Sequence, residues 1–188
     1  MTETDPLRYS VLASGSTGNV TYLETRNHRI LIDAGLSGKR IENLMKKIDR
    51  SLKDVDAIFV THEHSDHTHG VGVLARRYGM DVYANEGTWQ AMADKVGKIP
   101  LAQKHIIAPN TVKDLGDMDI ESFAVSHDAA QPQFYQVHHN NKTFCIITDT
   151  GYVSDRVEGT IRNADAYVME CNHDTETLRM GPYSWPLK

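Results

Sequence analysis

Thr61-His62-Glu63-His64-Ser65-Asp66-His67 carries three imidazoles and two carboxylates within six consecutive positions, 62–67. Imidazole and carboxylate together form a donor set for zinc, manganese or iron. The i, i+2 pair His62/His64 can approach one ion from an extended backbone. Asp66 and His67, one step further round the turn, then face away from that pair. This arrangement implies two divalent ions, as in two-metal hydrolases. The competing reading is a plain polar loop rich in histidine. So many titratable groups anchored to a buried strand are costly without a cation, which favours the metal.

The elements on either side hold this loop in place. Residues 56–60 are apolar and read as a buried strand, and residues 70–78 read as the first turns of a helix. Other chemistry-bearing residues also follow apolar, strand-like runs. Asp33 ends the run 29–32, His127 follows 119–125, and Asp149 follows 146–148. Residues 166–170 read as a strand leading into Cys171-Asn172-His173-Asp174. Residues 14–19, Ser-Gly-Ser-Thr-Gly-Asn, are either an anion-presenting loop or a tight turn. Residues 20–24 and 29–32 form a hairpin that makes His28 a turn residue, and His138 and His139 are structural. Amphipathic helices are expected over 39–48, 86–96 and 154–162, the last capped by Ser154. The basic face of the first, with Lys39, Arg40, Lys46 and Lys47, reads as solvated rather than phosphate-tracking.

The length of 188 residues suits one domain with a sizeable core, over 1–188. A formal net charge of −5 gives no general pull toward nucleic acid, so a polyanion has to be held by local patches and by metals. Cys145 and Cys171 lie in apolar runs and read as reduced thiols of a cytoplasmic protein. The first six residues have no signal-peptide pattern, and no run is apolar enough to span a membrane.

The pattern His-x-His-x-Asp-His-x-x-Gly over residues 62–70 resembles the metal-binding signature of the metallo-β-lactamase fold. Added to it are residues 10–19, Asp33-Ala34-Gly35, Ser126-His127-Asp128, Thr148-Asp149-Thr150-Gly151 and the tetrad at 171–174. Together these resemble the YycJ/VicX/WalJ-like proteins, which are related to ribonuclease Z. The resemblance implies an α/β (α+β) fold, a four-layer αββα sandwich, to which the alternation of hairpins with amphipathic helices also points. It implies a first site of His62, His64, His127 and Asp149, a second of Asp66, His67 and Asp149, and Asp33 as a brace for the metal loop. Asp149 stands where lactamases with two zincs have cysteine, which argues against antibiotic hydrolysis. The implied activity is metal-dependent hydrolysis of phosphodiesters, 5′-to-3′ exonuclease action on DNA rather than RNA. In it Asp66 orients the nucleophile, and His173 with Glu170 protonates the leaving group.

The family continues past this chain's last residue with a further histidine ligand, and no histidine follows His173 here. The expectation is a fold missing its C-terminal part and a second site one ligand short. Two rival readings stay open. One is a small-substrate cyclic phosphodiesterase or esterase on the same site, and the other is a non-catalytic regulatory fragment.

Overall fold

The computed structural model describes residues 5–170 and residue 180. Two sheets lie face to face. The first has six strands in the order β1 (Arg8–Ala13), β2 (Val20–Glu24), β3 (Arg29–Ile32), β4 (Ala57–Phe59), β5 (Asp81–Ala84) and β6 (Lys104–Ile106). Its first three strands are antiparallel, and β3 to β6 are parallel. Parallel neighbours need crossovers. These carry α1 (Gly38–Lys47), the short α2 (Ser65–Thr68) with α3 (Val71–Tyr78), and α4 (Glu86–Val96). The second sheet joins β7 (Val112–Asp114), β8 (Asp119–Ala124), β9 (Gln133–His139) and β10 (Lys142–Ile147) as antiparallel neighbours. After α5 (Asp155–Ile161), β11 (Ala166–Met169) pairs parallel to β10.

Three apolar layers account for the stacking. Ile41, Met45, Leu74 and Met92 of the first helices pack on Leu31, Ile58 and Val82 of the first sheet. Leu23, Ile30, Ile32 and Phe59 on its other face meet Ile120, Tyr135, Val137 and Phe144 of the second. Phe123, Phe134, Cys145 and Ile147 then pack on Val157 and Ile161 of α5. The result is the expected αββα sandwich. Each layer's driving force is apolar area removed from water, about 25 cal/mol per Å².

Some local expectations change. Residues 112–114, unassigned in the sequence, form the edge strand β7. Residues 65–68, read as part of a loop between strand and helix, close a helical turn of their own. That turn swings His67 back over His62, with ring centroids 4.1 Å apart, so His67 does not face away from the first pair.

Candidate metal centre

Parallel β3 and β4 end at one rim of the sandwich, and the segments that follow β8 and β10 arrive there from the second sheet. Hydrogen bonds weld these pieces together. Gln133 N donates to Thr61 O at 3.1 Å, and Gly151 N to Ser126 O at 3.0 Å. The Tyr135 hydroxyl crosses the sheet interface to Val60 O at 2.7 Å. The metal loop, the His127 loop and the Asp149 loop are thus fixed to one another.

His62, His64 and His127 converge. His62 Nε2 lies 3.1 Å from His64 Nδ1, and His127 Nε2 lies 3.3 Å from the same atom. Nitrogens each about 2.1 Å from a tetrahedral ion stand roughly 3.4 Å apart, so this spacing fits a shared cation. Thr61 fixes the His62 tautomer. Its hydroxyl donates to Asp33 Oδ2 at 2.8 Å, which leaves it to accept from His62 Nδ1 at 3.0 Å. Burial pushes the His62 imidazolium down to about 2, so the ring stays neutral and presents a lone pair. Burial also lowers His127.

A second group contains His62, His67 and Asp149. The His67 ring lies between two carboxylates, with Nδ1 2.8 Å from Asp33 Oδ2 and Nε2 2.8 Å from Asp149 Oδ2. Burial alone would lower His67, but Asp33 and Asp149 outweigh it and hold the ring up to about 10. Burial likewise would raise Asp149, and His67 instead holds it down to about 2. Asp149 Oδ2 is buried, with His67 Nε2 as its close neighbour. A solvent-shielded carboxylate oxygen beside neutral His62 and the ring of His67 fits a divalent ion, which would take the place of the His67 proton. This grouping differs from the expected one, because His62 stands in both groups. Asp66 lies beside the second, its Oδ2 3.5 Å from His67 Nε2 and 3.4 Å from Asn19 Nδ2.

Asp33 also accepts from Thr61 N at 2.8 Å, the bracing contact expected of it. Glu170 accepts from Asp149 N at 2.7 Å. His173 lies outside the described residues. Sequence reasoning missed Asn19, whose Nδ2 is 3.0 Å from His67 Nε2 and whose Oδ1 takes Gly15 N at 2.9 Å. Its position after a small polar run was the available signal. Beside Asp66 opens a cavity of about 340 Å³ lined by Ser16, Thr17, Ser37, Arg40, Ser65 and His69. Among the described residues no helix is long and apolar enough to cross a membrane.

A family profile described as a beta-lactamase superfamily domain matches residues 28–186. The exodeoxyribonuclease WalJ of Streptococcus pneumoniae is 59% identical over 183 residues, which cover 96% of this chain and 68% of that protein. The exodeoxyribonuclease YycJ of Bacillus anthracis is 57% identical over 182 residues, covering 97% and 69%. The chain therefore spans about two thirds of the length of these relatives. Among solved structures, a B3 metallo-β-lactamase with an active-site glutamic acid superposes with a TM-score of 0.65 at 18% identity, over 86% of this chain and 74% of its own. A Cronobacter sakazakii metallo-β-lactamase gives 0.66 at 18% identity, over 85% and 76%. At that identity the likeness concerns the fold.

Proposed function

The chain belongs to the beta-lactamase superfamily, and from that premise we propose that it is a metal-dependent exodeoxyribonuclease acting from the 5′ end of a DNA strand. The observation that carries the reading is the pair of donor groups joined at His62, fed by loops of both sheets. The relatives named exodeoxyribonuclease supply the substrate class. In this reading His62, His64 and His127 hold one ion. His67 and Asp149, with Asp66 beside them, hold a second, and zinc or manganese suits these donors best. When bound, such ions acidify water and neutralise phosphate charge.

The chain's own residues do the remaining work. Thr61 keeps His62 in the tautomer that turns a lone pair inward, and Asp33 orients the His67 ring, which has to release its Nε2 proton before it can hold an ion. Asp66, half-buried at the mouth, is placed to orient an attacking water. Arg40, Ser16 and Thr17 line the adjoining cavity, where they can meet backbone phosphates. Glu170 acts by holding Asp149 through its N–H, which its observed contact favours over proton transfer to the leaving group. His173 is kept as the proton donor of the expectation. A cytoplasmic setting is part of the proposal, supported by Cys145 being a free, buried thiol.

The test is hydrolysis of single- and double-stranded DNA, RNA and a small phosphodiester by protein loaded with Mn²⁺ or Zn²⁺. The expected outcome is release of nucleotides from DNA 5′ ends, abolished by chelator and by Asp66→Ala. Cleavage of the small ester alone, or of DNA after both treatments, would overturn the proposal.

A further inference from the structure

Glu63 is the one acid of the metal loop that the proposed chemistry does not use. It stands between His62 and His64, where the backbone is extended at His64 (φ −62°, ψ 149°). Alternation along an extended backbone sends its side chain away from the two imidazoles. It is 9% exposed. Its Oε1 accepts from Ala130 N at 2.8 Å, and Ala130 lies three residues beyond His127. Its carbonyl oxygen accepts from Lys95 Nζ of α4 at 3.1 Å. Oε2 is buried without a partner. A buried carboxylate with one free oxygen is a cost to folding, so packing alone does not explain it.

The loop it grips is fastened at its two ends, by Gly151 N donating to Ser126 O at 3.0 Å and by Gln131, and is open between them. Ser126, Asp128 and Ala130 are exposed. Gln131 is fastened to the start of α4, with Asn85 Nδ2 on its carbonyl at 2.7 Å and Gly87 N on its Oε1 at 3.1 Å. Two of the three convergent histidines share one loop, and the third arrives on this one. The Glu63–Ala130 bond ties the backbone between the first two to the backbone that carries the third.

We propose that Glu63 is a positioning residue that sets His127 against His62 and His64 through the Ala130 N–H, and thereby fixes the affinity and geometry of the three-histidine site. The proposal rests on the metal reading above. The Ala130 N–H needs an acceptor oxygen at this position to hold the loop still, which a carboxylate or an amide supplies.

The experiment compares Glu63→Met, which keeps the volume but has no acceptor, with Glu63→Gln, which keeps the acceptor. Zn²⁺ affinity is read by chelator competition and ligand geometry by Co²⁺ visible absorption. The metal-free melting temperature is measured alongside. Glu63→Met is expected to weaken Zn²⁺ binding about tenfold or more and to change the Co²⁺ bands. Its metal-free melting temperature should hold or rise, because a buried charge has gone. Glu63→Gln is expected to stay within about threefold of the parent in affinity, with the parent's Co²⁺ spectrum. Parental affinity and spectrum in Glu63→Met overturn the proposal, as do equal losses in both variants. A parent chain that binds neither Zn²⁺ nor Co²⁺ overturns the metal reading itself, and this proposal with it.

Discussion

Asp33 and Asp149 share a backbone conformation that aspartate rarely adopts. Both are left-handed, at φ 60° and 49°, and both aim an oxygen at the His67 ring. Such geometry costs on the order of 1–3 kcal/mol per residue and persists only where neighbours enforce it. At Asp33 the neighbours are Thr61 N, Thr61 Oγ1 and His67 Nδ1. Asp33→Ala keeps the strain and strands two buried donors of Thr61. It is expected to cost about 2–4 kcal/mol in urea denaturation and 10–100-fold in metal affinity. A loss under about 1 kcal/mol with unchanged affinity would refute this account. Asp33, His127 and Asp149 were legible because each follows an apolar run at a position that matches a motif of the family the sequence resembles. The roles of Asn19 and Glu63 were not, since their partners lie 48 and 67 residues away, and the small polar run before Asn19 marks only a loop.

The elements meet most closely at a glycine. A Cβ on Gly35, just past β3, would stand 1.6 Å from Asp66 O, inside the backbone of α2. Here Gly35 N donates to Asn19 O and Asn19 N to Asp66 O, so three segments cross with no room for a side chain. Gly35→Ala is expected to push α2 outward. The outcome should be a loss of several kcal/mol in chemical denaturation together with weakened metal binding at His67, both larger than for Gly159→Ala, where nothing lies within 4 Å. Equal effects at the two glycines would show that α2 tolerates the shift. The turn of α2 also explains why His67 lies over His62 rather than facing away from it. Spacing alone distinguishes an extended run from a single helical turn poorly over four residues. The turn at 65–68 decides which imidazoles face each other.

At the scale of the whole molecule the αββα layering was readable from hydrophobic period and from the placing of hairpins and helices. The sheet edges were less so, because β7 is three residues long and half-exposed. The rim opposite the metal loop holds a separate polar knot. Arg50 grips Glu24 with two bonds of 2.6 Å, and the Tyr22 hydroxyl donates to Glu24 at 2.7 Å. The Arg50 hydrogen bonds hold Glu24 down to about 2, against an ordinary 4.5. A folded-state value below the unfolded one gives stability that is complete above about 4.5 and is lost as pH falls toward about 2. Arg50 is 37% exposed at its side chain, so the contribution is about 2 kcal/mol after screening. Glu24→Gln is expected to lose that amount at pH 7 and to flatten the stability curve between about pH 4.5 and 2. A variant whose acid unfolding follows the parent's would contradict it.

The donors at the rim come from both sheets: His62, His64 and His67 from the loop after β4, His127 and Asp149 from the segments after β8 and β10. An ion held there is also a rivet between the two halves of the sandwich. The unfolded chain scatters these donors over 88 positions, from 62 to 149, so the folded state alone binds tightly. Free metal at about a hundred times its dissociation constant would then add about 2.7 kcal/mol to stability. The unfolding midpoint should climb with the logarithm of metal concentration, which calorimetry in metal buffers can follow. The survival of this protein in a cell would thus depend on metal supply before any substrate is met.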